Sequence, residues 1–167
     1  MAARTDAVVT KSTPRELIIT RIFDAPRALV FEAWTKPEHI VHWFGPNGFT
    51  LPVCEMDFRI GGSYRLCMRA PDGNEHYAHG VYREIVPSER IVWTSSFEDV
   101  PGSEILTTVT FADHEGKDSG KSKLTVNQTY SFESDRTRGA PQGWTETLEH
   151  LAAYVAKNLN GENQLKE

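Results

Sequence analysis

The sequence predicts an α+β domain in which a curved antiparallel sheet of about seven strands wraps around a long C-terminal helix, with two short helices after the first strand. Three observations carry that prediction. A β-prone run, ELIITRIFD (16–24), is followed by two short helical patterns, and residues 49 to about 131 then alternate short β-prone runs with turn signals. Finally, Trp144, Leu148, Leu151, Val155 and Leu159 fall at offsets 0, 4, 7, 11 and 15, one apolar face of a helix. Such a face needs an apolar surface to lie on, and a bent sheet supplies one while leaving a cavity between the two layers.

The first strand stops at Asp24-Ala25-Pro26, where proline suits the first turn of a helix. That helix carries Leu29, Val30, Ala33 and Trp34 at helical spacing and is cut by Pro37. Thr35 and Glu38 match a capping box for a second short helix bearing Ile40, Val41, Trp43 and Phe44, and Gly45-Pro46-Asn47-Gly48 ends it. The meander is punctuated by Gly61-Gly62, Asp72-Gly73, Pro87-Ser88, Pro101-Gly102 and a polar loop from Asp113 to Ser122.

At 167 residues the chain suits one core, and the apolar pattern bounds a single domain over 15–160 with flexible tails at 1–14 and 161–167. Lys plus Arg at 18 against Asp plus Glu at 23 gives 18 − 23 = −5, the wrong sign for a sequence-independent grip on phosphates, so no nucleic-acid partner is expected. No apolar run approaches the roughly 18–20 residues of a bilayer span, and Val8-Val9 is too short for a signal-peptide core. A cytoplasmic protein with no membrane partner is the expectation. Two cysteines are too few for a disulfide scaffold or a zinc site.

Strand faces follow from turn geometry. On 91–97, Ile91, Trp93 and Phe97 share the side expected to face the cavity, with Val92, Thr94 and Ser96 on the other. A turn centred on Ser88-Glu89 pairs residues whose indices sum to 177, placing Glu84 opposite Trp93 and Tyr82 opposite Ser95. A two-residue Asp72-Gly73 turn gives a sum of 145 and points Arg65, Cys67, Arg69, His76 and Ala78 inward. Simple patterning of 63–69 turns that strand the other way, with Tyr64, Leu66 and Met68 as the apolar row. The two-hairpin register is adopted, which leaves Tyr64, Leu66 and Met68 on a convex face that a partner chain would cover, as in a homodimer. An even-numbered loop at Ile60-Gly61 puts Cys54 opposite Cys67, both expected as thiols; an odd-numbered loop puts Cys54 opposite Leu66 or Met68 and separates the sulfurs onto different faces.

The candidate ligand-binding residues are Met56, Phe58, Arg65, Arg69, His76, Tyr82, Glu84, Trp93, Phe111, Trp144, Leu148 and Leu151. Arg65, Arg69, His76, Tyr82 and Glu84 form a polar set suited to orienting a carboxylate or polarising a carbonyl, although a buried Arg65–Glu84 pair and a core or rim histidine account for the same residues. Of the aromatics Trp34, Trp43, Phe44, Trp93, Phe111 and Trp144, core packing claims most, and Trp93 and Trp144 are the preferred ligand contacts. His39 and His42 with Glu38 lack a third and fourth ligand, so no metal is assigned. Gly61-Gly62 is hairpin chemistry, and with no G-x-S-x-G, H-E-x-x-H, Walker or Cys/His signature no catalytic residue and no cofactor is assigned.

An ordered set of segments carries a family resemblance: Val30-Phe31-Glu32-Ala33-Trp34-Thr35-Lys36-Pro37-Glu38, Trp43-Phe44-Gly45-Pro46, Gly61-Gly62-Ser63-Tyr64-Arg65, Met68-Arg69-Ala70-Pro71-Asp72-Gly73, Gly80-Val81-Tyr82-Arg83-Glu84-Ile85-Val86-Pro87, and Gly143-Trp144 with Leu148 and Leu151. Over roughly residues 16 to 157 the chain resembles the activator of heat-shock-protein-90 ATPase homologue-like (AHSA-like) family. The resemblance implies the START-related or SRPBCC superfamily and its helix-grip fold, a scaffold that hosts lipid carriers, polyketide cyclases, hormone receptors, resistance proteins and co-chaperones. The leading expectation is binding or sequestration of a hydrophobic small molecule between sheet and C-terminal helix. The alternatives are a cyclase- or dehydratase-like enzyme with Glu84 or His76 as acid/base and Arg65 on an enolate or carboxylate, and a co-chaperone or stress-linked module with a chaperone as partner.

Overall fold

A computed structural model describes residues 7–158. The elements run β1 (Val8–Ser12), β2 (Glu16–Phe23), α1 (Arg27–Glu32), α2 (Pro37–Ile40), β3 (Thr50–Met56), β4 (Ser63–Arg69), β5 (Glu75–Val86), β6 (Arg90–Phe97), β7 (Ile105–His114), β8 (Lys121–Tyr130), α3 (Asp135–Arg138) and α4 (Ala140–Asn158). The strands form one antiparallel sheet in the order β1-β2-β8-β7-β6-β5-β4-β3. α4 lies in its concave face, the helix-grip arrangement expected from the resemblance.

The sheet has one strand more than expected. Residues 8–12 fall within the predicted flexible tail, yet the β-branched run Val8-Val9-Thr10 pairs with the free edge of β2. Residues 1–6, the tail at 161–167 and Leu159 lie outside the described residues. β2 alternates strictly, burying Leu17, Ile19, Arg21 and Phe23. Arg21 is the charged member of that row, and its guanidinium donates two bonds to the Glu149 carboxylate of α4 (3.1 and 2.9 Å) and one to the Ile22 carbonyl. α4 returns Trp144, Thr147, Leu148, Leu151 and Val155 to the core.

α1 starts after Pro26 and α2 starts on Pro37. The expected Thr35–Glu38 capping box does not form: the Thr35 hydroxyl donates to the Glu32 carbonyl, closing α1 instead of opening α2. A capping box does open α3, where Ser134 and Thr137 exchange bonds.

The hairpin registers differ from the expected ones, all for one reason. The loops 58–62, 71–73 and 87–89 contain odd numbers of residues, accommodated by left-handed backbone at Gly61, Gly73 and Ser88. Pairing therefore sets Cys54 opposite Leu66, Leu66 opposite Ala78, Met68 opposite His76 and Glu84 opposite Val92, the last away from the concave face. A bulge between Tyr82 and Glu84 then shifts β5 by one residue, which brings Tyr82 opposite Trp93 on the concave face. Tyr64, Leu66 and Met68 point inward, as simple patterning has it, and that row needs no second copy to cover it. Among the described residues no helix is long and apolar enough to cross a membrane.

Candidate functional site

Between the N-terminal half of α4 and the concave face of β3–β6 lies a cavity of about 340 Å³. Each wall follows from an alternation or a turn. β3 contributes Cys54 and Met56, β4 Tyr64, Leu66 and Met68, β5 His76, Ala78 and Tyr82, and β6 Ile91, Trp93, Ser95 and Phe97. The roof is Trp144 and Thr147 of α4 with Trp34 after α1, and the Gly45–Phe49 loop and α3 border the openings.

Six of the sequence-predicted residues, Met56, Phe58, His76, Tyr82, Trp93 and Trp144, line this cavity. The other six do not. Arg65, Arg69 and Glu84 stand on the outer face because of the odd-numbered loops, where they pair with Glu98 (2.8 Å), Glu75 (2.6 Å) and Arg90 (2.9 Å). The postulated Arg65–Glu84 pair does not exist. Phe111 is core, packed edge-on to Phe31 (5.4 Å) and Trp34 (6.1 Å), and Leu148 and Leu151 are wholly buried beneath α4. His39 and His42 are turned to Tyr154 of α4, the first through a 2.7 Å hydrogen bond and the second by ring stacking.

The walls are aromatic and mutually braced. Trp34 meets Trp43 (4.7 Å), Trp93 (5.8 Å) and Trp144 (6.4 Å, near-parallel), and Phe58 meets Tyr82 (5.0 Å) edge-on. Most polar groups along the cavity are already committed. The Tyr64 hydroxyl donates to the Thr94 carbonyl (2.8 Å) and shares a bond with the Ser95 hydroxyl (2.5 Å). The Tyr130 hydroxyl donates to Gln128, whose amide donates to Thr107 (3.0 Å each). At the rim, Arg136 crosses the Phe97 ring, donates two bonds to Asp99 (2.8 and 2.7 Å) and one to His76 Nδ1 (3.0 Å). Arginine only donates, so His76 Nδ1 is the acceptor and its proton resides on Nε2.

Burial governs the titrating groups. It pushes the Tyr64 and Tyr82 phenols well above the usual tyrosine value and Tyr130 up to about 12, so all three are neutral hydroxyls at neutral pH. The Cys54 thiol is pushed up to about 11 by the same cause, which removes the thiolate that nucleophilic chemistry requires. The Trp34 Nε1–H is buried with no hydrogen-bond partner among the described residues.

Several lining residues were missed by the register reasoning. Tyr64, Leu66 and Met68 are signalled by their own alternation, whereas no pattern in the sequence marks Arg136. Trp34 serves both as core and as cavity wall.

The family model described as "Activator of Hsp90 ATPase homolog 1-like protein" matches residues 24–156. A crystal structure of a Chromobacterium violaceum protein superposes with a TM-score of 0.77 at 32% identity, covering 86% of this chain and 98% of that one. A Rhizobium leguminosarum protein covers 93% and 99% at 29% identity and a TM-score of 0.67. A Silicibacter pomeroyi protein described as AHSA1 covers 84% and 97% at 20% identity and a TM-score of 0.72, a likeness of fold. The comparison with curated proteins gave no match. With the matched model spanning β2's end through α4 and the sheet-and-helix arrangement in place, the chain belongs to the Activator of Hsp90 ATPase homolog 1-like family of the SRPBCC superfamily.

Proposed function

We propose that this chain binds or sequesters a hydrophobic small molecule in the cavity between sheet and α4, acting in the cytoplasm. The cavity itself carries the reading: its volume of about 340 Å³ falls among small-molecule sites, and its walls are largely tryptophan, phenylalanine, tyrosine, isoleucine and methionine with a few placed polar groups. The cyclase- or dehydratase-like alternative loses its residues, since Glu84 and Arg65 are outside the cavity and His76 is held at the rim by Arg136. Native mass spectrometry of the freshly purified chain tests the reading. A co-purified apolar molecule supports it, and absence of any adduct together with failure to bind a panel of lipids, flavonoids and polyketides overturns it.

Family membership favours a second reading, interaction with a chaperone. Adding the chain to the host chaperone and measuring its ATPase rate decides that reading: a changed rate supports it, and an unchanged rate with no complex on pull-down removes it.

A further inference from the structure

Two histidines fasten the rim of the cavity, and a proton acts on them in opposite ways. On one side His150 of α4 holds the Gly45–Phe49 loop: its Nδ1 faces the Gly45 carbonyl (3.0 Å), which only accepts, so the ring donates there whether neutral or protonated. With the Glu146 carboxylate one turn away on α4, a positive ring here meets an opposite charge. On the other side the bond runs the other way. Arg136 of α3 donates to His76 Nδ1 (3.0 Å), and a protonated His76 carries a hydrogen on that nitrogen.

α3 depends on side chains for its hold on the sheet. The backbone hydrogen bonds of residues 134–139 run within α3 and into the start of α4, as in the Arg138 N–H to the Ser134 carbonyl (3.0 Å) and the Gly139 N–H to the Asp135 carbonyl (2.9 Å). Arg136 lies over the Phe97 ring (4.5 Å), bonds Asp99 through both terminal nitrogens and reaches His76, and Phe132 just before α3 meets Phe97 edge-on (6.4 Å). Asp135, Arg136, Thr137 and Gly139 border the cavity, so movement of α3 away from β5 and β6 widens the opening.

The charges around His76 come from two elements. α3 brings Arg136 and Asp135, the latter paired with Arg138 (2.6 Å), and the turn after β6 brings Asp99, while β4 sets the uncharged Met68 opposite. Its chain neighbours Glu75 and Tyr77 stand on the other face of the sheet with Arg69 and Arg65. Protonation of His76 therefore removes an acceptor from Arg136 and sets a second positive charge 3.0 Å from the guanidinium. It also makes the imidazolium a rival for the Asp99 carboxylate, which Arg136 first and His76 after it hold below the usual carboxylate range.

We infer that α3 is an acid-released door on the cavity: as the pH falls through the histidine range, His76 takes Asp99 from Arg136, Arg136 lets go of the sheet, and the opening beside Phe97 widens while His150 keeps the Gly45–Phe49 loop fastened. This rests on the cavity-binding reading and adds to it the condition under which the cavity admits or releases its contents.

Acrylamide quenching of tryptophan emission at about pH 7.5 and 5.5 tests it, since the quencher is uncharged and the buried Trp93 and Trp144 line the cavity. In the unmodified chain the quenching constant should rise several-fold at the lower pH. His76→Gln keeps an oxygen acceptor for Arg136 and takes no proton, so its constant should stay low at both values. Arg136→Ala should be high at both. No rise in the unmodified chain, a rise of the same size in His76→Gln, or a low constant in Arg136→Ala overturns the inference. No ligand enters this measurement, so its failure is separate from failure of the cavity-binding reading, which native mass spectrometry decides.

Discussion

Tyr64 on β4 lies directly opposite Gly80 on β5, and its hydroxyl reaches past that glycine to the Thr94 carbonyl of β6, 2.8 Å away. The ring covers the place where a side chain on residue 80 would stand, and a Cβ built there would lie 1.7 Å from the same carbonyl oxygen. Gly80→Ala is therefore expected to cost about 4–5 kcal/mol or prevent folding, because backbone must move to admit the methyl group. Tyr64→Phe, which removes only the oxygen, should cost about 1 kcal/mol. Urea unfolding midpoints of the two variants give the comparison, and equal losses would contradict it.

Arg21 and Glu149 should behave asymmetrically. The arginine is 7% exposed at its side chain and the glutamate 41%, so Glu149→Ala strands a buried cation whereas Arg21→Met leaves an accessible carboxylate. Glu149→Ala is expected to cost about 2–3 kcal/mol and Arg21→Met less, with the double variant close to Arg21→Met alone. Chemical denaturation of the four proteins measures this, and additive losses would remove the claimed coupling.

Acid stability should depend on Glu98. Its hydrogen bonds from Arg65 and then His79 hold its carboxyl down to about 2 from an ordinary value of 4.5. A carboxyl lowered by folding contributes stability that is fully present above the unfolded value and is lost as pH falls from about 4.5 through about 2. Glu98→Gln should flatten the stability-against-pH curve in that window and leave its slope above pH 5 unchanged. An unaltered acid limb would show that the carboxylate is not held by its neighbours.

The two thiols should be unable to join. Cys54 faces the cavity opposite Leu66, whereas Cys67 is buried on the other face between Val53 and Tyr77. Mild oxidation of the native protein should give no intramolecular two-dalton loss. With its thiol raised to about 11, Cys54 should alkylate slowly at pH 8. A native disulfide detected by intact mass would refute the register.

The fold was legible because its signals are periodic: the 144–155 face of α4, the alternation of β2, and proline at the starts of α1 and α2 each name their element directly. Sheet faces were less legible because they depend on loop parity, and parity turns on single left-handed residues. Reading Asp72-Gly73 and Ser88-Glu89 as two-residue turns exchanged Arg65 and Arg69 for Leu66 and Met68 in the cavity wall. The row Tyr64-Leu66-Met68 held the correct answer in its own hydrophobicity. For Tyr82, the β5 bulge that brings it opposite Trp93 has no glycine or other mark at Arg83 to announce it.

α4 is fastened unevenly along its length, and that makes it a lever. Its C-terminal part is pinned to β2 by Arg21–Glu149 and by Leu148, Leu151 and Val155, while its N-terminal part hangs over the cavity. That overhanging part is hitched to the Gly45–Phe49 loop through Glu146, whose carboxylate accepts from the Asn47 amide (2.8 Å), and His150, beside the pivot, ties the start of the same loop at the Gly45 carbonyl (3.0 Å). A small upward swing about the pinned end would thus carry the loop along with the helix, lifting two sides of the rim in a single stroke while the core behind the pivot stays shut.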